Sequence, residues 1–377
     1  MIFIAALLAG HAILIENYRR WFLKIKPFTL SPAIQPRAYF TVIIPARNEE
    51  EQIGKCLQTV LAQNYPRHLF EVIVADDYST DDTAGIIQSL QQQFFNLRLL
   101  QLEKVLPHKQ LNSYKKKAIE LAIKEAKGDW IVTTDADCTV TENWLLNFNN
   151  FIQQRNAVFV AAPVKFINTG SFVSIFQCLD FMSLQGITAA TVHHGFHSMC
   201  NGANLAYSKK VFYEVNGFKG IDNIASGDDM LLMHKIYVRF KKQVYFLFSQ
   251  DSTVQTPPMR TWKDFINQRI RWASKADKFD DKRILGVLAF IYLFNLSFII
   301  IPVAAFWYKN LWFYWLAMMA AKTVIELRFM FPVAKFFKEK KLLWWFPVMQ
   351  PFHILYTIVA GWLGKFGKYS WKGRVVK

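Results

Sequence analysis

At 377 residues the chain is long enough for one sizeable soluble core with residues to spare. Hydrophobic residues reach 53% and aromatic residues 16%, and they gather toward both ends, which excludes a plain soluble globule and points to a soluble domain with membrane segments. The formal charge of +17 concentrates beside apolar runs, at 18–26, 335–341 and 365–377, where it suits anionic lipid headgroups rather than nucleic acid.

The first predicted element is a membrane anchor. Residues 1–15 carry no charge, and Arg19, Arg20, Lys24 and Lys26 follow with no small-residue cleavage site between. This reads as a short uncleaved anchor over residues 1–17, its C-terminal side in the cytoplasm, slightly short against the ~20 residues of a spanning helix. From residue 38 to 162, β-rich runs at 40–45, 71–76, 97–102, 130–135 and 158–163 alternate with amphipathic stretches at 50–63, 82–95, 113–127 and 142–154. That alternation predicts a doubly wound, Rossmann-like α/β sheet, with ligands beyond the carboxyl ends of its strands. The cytosolic domain is placed at 38–280. The four cysteines, Cys56, Cys138, Cys178 and Cys200, stand too far apart for a zinc site or a disulfide framework, which fits a reducing compartment.

Past Arg283 the composition turns apolar. Residues 284–308 are charge-free and long enough to span, with Pro302 expected to kink them. A second run starts at Leu311 and ends among Glu326 and Arg328; a third, 342–364, contains Pro347 and Pro351 and closes on the basic tail 365–377. Were all three to cross, that tail would lie outside, against the positive-inside tendency, so the third is read as re-entrant or interfacial.

The chemistry gathers at the expected strand ends. Asp135 and Asp137 follow the apolar run 130–134, and two carboxylates so spaced either mark a surface turn or share one hard cation, Mg2+ or Mn2+, leaving positions for water and a diphosphate. Pro45-Ala46-Arg47-Asn48-Glu49-Glu50 ends the first strand, and Asp76-Asp77-Tyr78-Ser79-Thr80-Asp81-Asp82 the second. A helix N-cap explains Asp81 and Asp82 equally well, whereas Asp76 and Asp77 precede the cap and can accept from a base N–H or a ribose hydroxyl. Downstream, Ser226-Gly227-Asp228-Asp229 offers a second acidic pair, either a helix cap or a general base for a sugar hydroxyl. Gln268-Arg269-Ile270-Arg271-Trp272 sets a stacking ring beside Gln and Arg donors, suited to a hydroxylated acceptor and a pyrophosphate; its bland reading is a basic pre-membrane helix. Turn chemistry explains the glycines of Asn201-Gly202-Ala203-Asn204 and Asn216-Gly217-Phe218 as well as a closing acceptor pocket does, and His193, His194 and His197 lack the carboxylate or cysteine partners of a metal site.

In this order the motifs, over roughly residues 39–272, resemble those of family 2 glycosyltransferases, an inverting family with a nucleotide-binding domain of the GT-A type. The resemblance implies that Pro45, Ala46, Arg47, Glu49 and Asp77 line the nucleotide pocket. It also implies that Asp135 meets diphosphate or sugar, Asp137 the metal, and that Asp229, with Asp228 beside it, is the base. Gln268, Arg271 and Trp272 match a Q-x-x-R-W motif near acceptor and diphosphate. In Ser113-Tyr114-Lys115-Lys116-Lys117-Ala118 the family's usual glycine is missing, and Lys117 or Lys116 is aligned with its lysine. The expected activity is transfer from a nucleotide-sugar, with UDP-sugars favoured over GDP-sugars, to a lipid or saccharide acceptor at the cytoplasmic membrane. A processive polysaccharide synthase and an inactive scaffold that keeps the fold are the alternatives.

Overall fold

The computed structural model describes residues 2–106, 113–196, 199–224, 227–275, 281–367, 369–371 and 374–376. In chain order the helices are α1 (Ile2–Leu23), α2 (Ile53–Leu61), α3 (Thr83–Gln91), α4 (Leu102–Val105), α5 (Tyr114–Glu125), α6 (Trp144–Gln154), α7 (Phe172–His194), α8 (Lys209–Glu214), α9 (Met230–Arg239), α10 (Trp262–Ala273), α11 (Lys282–Ala305), α12 (Leu311–Phe336) and α13 (Phe346–Phe366). The strands are β1 (Phe40–Ala46), β2 (Phe70–Asp76), β3 (Leu97–Gln101), β4 (Trp130–Thr133), β5 (Phe159–Ala161), β6 (Val164–Phe166), β7 (Leu205–Ser208), β8 (Val244–Phe246) and β9 (Val254–Thr256). A terminal hairpin, β10 (Tyr369–Trp371) and β11 (Arg374–Val376), follows in the basic tail. The chain divides into two compact units: residues 26–165 with 198–257, and residues 1–25 with 166–197 and 258–377.

The first unit is built on a seven-stranded sheet of order β3-β2-β1-β4-β7-β5-β8. β1 (FTVIIPA) and β2 (FEVIVAD) are near-continuous apolar runs because both of their faces are covered, as parallel central strands require. They pair in parallel from Phe40 opposite Phe70 to Ala46 opposite Asp76, and β4 pairs on the other side of β1. β1 therefore sits at the point where the strand order reverses. The loops leaving β1 and β4 flank the crevice in which such sheets bind ligands. The short strand β7 enters antiparallel between β4 and β5, so the run read at 158–163 lies across β7 rather than beside β4.

The second unit is helical. The sequence assigned residues 166–197 to the 38–280 domain, but α7 is a helix of 23 residues with one formal charge before its terminal histidines, Asp180, and it groups with the terminal helices. Gly186 of α7 lets α12 approach closely, since a Cβ there would lie 2.6 Å from Val333 Cγ2. The anchor expected to stop near residue 17 continues to Leu23 as 22 helical residues, with Glu16 pairing to Arg19 and Arg20 along it. Among the described residues α1, α7, α11 and the stretch Lys340–Phe366 are long and apolar enough to cross a membrane. The last is helical throughout: Pro347 falls in the first turn of α13, where its missing N–H leaves nothing unsatisfied, and Pro351 lies inside the helix.

Pro302 lies inside α11 and cannot donate to the carbonyl four residues back, that of Phe298. Trp315 of α12 donates its indole N–H to that oxygen at 3.0 Å, from within a core of Leu7, Phe294, Phe298, Ile301, Met318 and Ile354. Out of water such a carbonyl needs a partner. Trp315→Phe is predicted to destabilise the detergent-solubilised chain by about 1 kcal/mol more in the wild-type background than in Pro302→Ala, where residue 302 regains its N–H. Thermal unfolding of the four chains of that cycle is the check, and equal losses in both backgrounds would contradict it.

Candidate active site

The two loops after β1 and β2 are stitched together by their own side chains. Asn48 N donates to Ser79 Oγ at 3.0 Å, and Thr80 N donates to Asn48 Oδ1 at 2.9 Å. Glu50 N donates to Asp81 Oδ2 at 3.1 Å, and Asp82 N returns a bond to Glu50 Oε2 at 2.9 Å. Glu49 is fixed through its N–H on Thr83 Oγ1 at 2.8 Å, and the Arg47 Nη1 donates to the carbonyls of Asp77 and Tyr78 at 2.6 and 3.2 Å. Pro45 and Ala46 close β1 directly before this weave.

Asp76 and Asp77 are buried, and desolvation pushes the Asp76 carboxyl above its ordinary value even though Ser79 N donates to it. Asp81 acts locally: burial raises its carboxyl, but bonds from Thr83 and the Glu50 N–H outweigh that and hold it below the usual range. Tyr78 takes φ 56°, a left-handed conformation that costs a bulky residue about 1 kcal/mol, and the ring meets Tyr114 edge-on at 6.2 Å.

At the end of β4 the acidic residues converge. Lys115, from the first turn of α5, donates to Asp135 Oδ1 at 2.8 Å and lies 3.4 Å from Asp228 Oδ2, so one ammonium joins acids 93 positions apart (228 − 135 = 93). Asp229 is held at both oxygens: Met230 N donates to Oδ1 at 2.7 Å and Gly202 N to Oδ2 at 3.0 Å. Gly202 is close to both acids, since a Cβ there would sit 3.4 Å from Asp228 Oδ2 and 3.6 Å from Asp229 Oδ2. Thr133 of β4 in turn holds the Gly202 carbonyl at 2.7 Å, tying the 201–204 turn to the strand.

The thiols register the same field. Cys56 donates to the Asp135 carbonyl and Cys138 to Asp137 Oδ1; burial first, and then Asp137 and Asp135, push both thiols well up. Burial, and after it the three acids Asp135, Asp228 and Asp229, act in opposite senses on Lys115, and the acids prevail, holding its ammonium protonated far above the ordinary lysine range. Because its pKa is raised on folding, the stability it contributes is complete below the ordinary lysine value and fades only as pH climbs beyond that.

Among the described residues no three metal-ligating side chains stand close enough to form a self-sufficient metal site. Asp135 and Asp137 are an oxygen-only pair on one turn, which fits a hard cation that takes its remaining ligands from a diphosphate and water.

A family profile described as glycosyl transferase family group 2 matches residues 130–363, more than half of the chain, and one described as glycosyl transferase family 2 matches residues 41–214. The chain belongs to glycosyltransferase family 2. This family 2 transferase is 30% identical over 131 residues to a poly(ribitol-phosphate) beta-N-acetylglucosaminyltransferase of Staphylococcus aureus, covering 34% of the chain and 21% of that relative. It is 32% identical over 111 residues to the dolichyl N-acetyl-alpha-D-glucosaminyl phosphate 3-beta-D-2,3-diacetamido-2,3-dideoxy-beta-D-glucuronosyltransferase of Methanococcus voltae, covering 29% of the chain and 32% of that relative. The chain thus spans about a third or less of these relatives' lengths. Among solved structures, the mannosyltransferase of Pyrobaculum calidifontis in complex with GDP-Man and Mn2+ aligns over 96% of the chain and 97% of its own, with a TM-score of 0.58 and 21% identity. That likeness establishes the GT-A fold.

The three consecutive lysines at the start of α5 have three different surroundings. Lys117 pairs with Glu120 at 2.7 Å on the outer face of α5, and Lys116 is buried, donating to the carbonyls of Ile221 and Ile224 at 2.8 and 2.6 Å. Lys115 is the one on the acids. The signal available in the sequence was helical spacing: of three consecutive lysines only one can share a face with a given strand end.

In the helical unit, Gln268, Arg271 and Trp272 lie on α10. Gln268 Oε1 accepts from Arg269 at 2.8 Å, and the Arg269 guanidinium lies over the Trp272 ring, 4.2 Å from its centroid. Arg269 is itself buried on Asp180 of α7, at 2.6 Å through Nη2, and Asp180 also accepts from Tyr356 Oη. Arg269 is named in the sequence only as part of the 268–272 run and Asp180 not at all, although a lone acid inside the apolar run of α7 is a sign of a partner. Ser226 and His197 lie outside the described residues; His194 stacks on Trp21, with ring centroids 4.1 Å apart. Asn204 is a buried brace, donating to the carbonyls of Pro163 and Ser252 at 2.7 Å each.

From these placements Lys115→Met should lower glycosyl transfer at least tenfold, because Asp135 and Asp228 lose their shared counter-charge, whereas Lys117→Met should change it less than twofold. Initial rates of both variants under one set of conditions decide between the two lysines.

Proposed function

We propose that this transferase moves a sugar from a nucleotide-sugar onto a lipid acceptor at the cytoplasmic membrane by a single displacement with inversion. The observation that carries the reading is the joining of Asp135 to Asp228 by Lys115, beside an Asp229 carboxylate held by two backbone N–H groups. In this reading the turn of Asp135 and Asp137 serves a diphosphate and the turn of Asp228 and Asp229 an acceptor hydroxyl. Helices long and apolar enough to cross a membrane support an acceptor presented at the bilayer, with the acidic site on the cytosolic side. The name of the Methanococcus voltae relative, which includes a dolichyl phosphate, favours a lipid.

In this mechanism Asp229 takes the proton from the acceptor hydroxyl as its oxygen attacks the anomeric carbon. Its two backbone donors hold the carboxylate in one orientation, so that proton transfer needs no rotamer search. Asp228 stays paired with Lys115, 3.4 Å away. Arg47, Glu49 and Asp77 line the nucleotide side with Pro45 and Ala46, held by the weave between the two loops. Asp135 and Asp137 would hold Mg2+ or Mn2+, which supplies charge neutralisation for the departing nucleoside diphosphate. By family resemblance Gln268, Arg271 and Trp272 serve the acceptor and the diphosphate.

The test is nucleoside diphosphate release by membranes containing wild type or Asp229→Asn, across UDP- and GDP-sugars with Mg2+ or Mn2+ and extracted lipids. Asp229→Asn should lower release about a thousandfold while leaving nucleotide binding intact, and wild type should put label into lipid. Label in a lengthening polymer would replace this reading with a processive synthase. Binding without turnover of any donor would leave only a scaffold.

A further inference from the structure

The helical unit holds a cavity of about 440 Å3 between α1 and α12 that the transfer reaction does not use. Glu16, Asn17 and Arg20 line it from α1 and Arg328 from α12, with Ile13 and Ile325 beside them. The two helices run in the same direction: His11 bonds Glu326 at 3.0 Å, Glu16 pairs with Arg328, and farther along Phe22 meets Phe329. The charged end of the cavity thus falls toward the last turns of α1, where Arg19 and Arg20 close the apolar helix.

The charges there do not balance. Glu16 takes two bonds from Arg19 at 2.9 Å each, one from Arg20 Nε at 3.1 Å, and lies 3.7 Å from Arg328 Nη2. Three guanidiniums against one carboxylate leave a formal +2 (3 − 1 = 2) among the described residues. The side chains of Arg20 and Arg328 are 67% and 64% exposed, and both line the cavity. Ile13 is 65% exposed on the same wall, and Val324, next to Ile325, 59%.

We propose that this cavity binds one anionic phospholipid, its phosphate on the Arg20 and Arg328 guanidiniums and an acyl chain along Ile13 and Ile325. Guanidinium forks match phosphate oxygens in bidentate fashion, and basic pockets between membrane helices suit lipid headgroups. The apolar wall selects a lipid over a free anion, because inorganic phosphate has nothing to place on Ile13. Asn17 adds an amide donor at the headgroup level. Glu16 holds the arginines apart at set spacing and lets the site open without direct repulsion between them. The proposal rests on the reading of α1 as a membrane helix, with α12 packed against it, and is independent of the transfer chemistry, so its readout is bound lipid rather than turnover.

The experiment is native mass spectrometry of the full chain in mild detergent, titrated with phosphatidylglycerol or with phosphatidylcholine of the same acyl chains. Wild type should retain one phosphatidylglycerol at least tenfold more tightly than phosphatidylcholine. The Arg20→Gln/Arg328→Gln double variant should lose that preference, and so should Ala12→Phe, which fills the cavity with every charge kept. Lys335→Gln, a basic residue elsewhere on α12, should bind as wild type does. Equal retention by wild type and Ala12→Phe, or loss of the preference in Lys335→Gln, would overturn the site. Displacement by millimolar inorganic phosphate would overturn the lipid as occupant. Recovery of the folded chain without detergent would instead reject the membrane reading, separately from the outcome for the cavity.

Discussion

The ammonium of Lys115 is the contact on which the catalytic half of this protein depends. Two acidic turns, one after β4 and one before α9, would repel each other and any incoming diphosphate if left alone. A single cation at 2.8 Å from Asp135 and 3.4 Å from Asp228 reverses that, and Gly202 supplies the space and the N–H that bring Asp229 in beside them. Its position is set by sheet topology: α5 is the crossover that delivers the chain to β4, so its first turn lies near the carboxyl ends of the strands. The weave between the loops after β1 and β2 does the same for the nucleotide side, where the backbone N–H groups of residues 48–50 donate to side-chain oxygens of Ser79, Thr83 and Asp81.

The helical unit solves the opposite problem, that of keeping charge where most of the surface is apolar. Asp180 of α7 is buried against Arg269 and Tyr356, and Glu326 of α12 gathers His11, Lys322 and Gln350. Removing one partner of such a buried pair typically costs about 3–5 kcal/mol, because it strands the other charge. These contacts specify which helices meet, since dispersion alone distinguishes little between apolar faces. Trp315 on the Phe298 carbonyl is a neutral instance of the same rule.

Much of the sheet unit was legible in the sequence for a physical reason. β1, β2 and β4 are apolar runs of strand length ended by polar clusters, and their helices carry one buried face, so period and punctuation agree. β7 was not legible: LAYS is too short to show a period, and its antiparallel insertion is a matter of long-range pairing. α7 was missed because its glutamines, serines and threonines dilute an apolar run that tertiary burial makes into a core helix. Among the candidate site residues, the acids were marked by their strand ends, but the choice among Lys115, Lys116 and Lys117 needed the phase of α5. The partnership of Arg269 with Asp180 spans 89 residues, a separation at which no local pattern operates.

Lys115 ties the two acidic turns into one site, and the most direct measurement of that tie is a double-mutant cycle of Lys115→Met with Asp228→Asn read by thermal unfolding. Partial exposure limits the pair to about 1 kcal/mol of coupling, so the account predicts that Lys115→Met destabilises wild type by roughly that much more than it destabilises the Asp228→Asn chain. Additive losses would contradict it, since the acids would then hold their places without the shared ammonium.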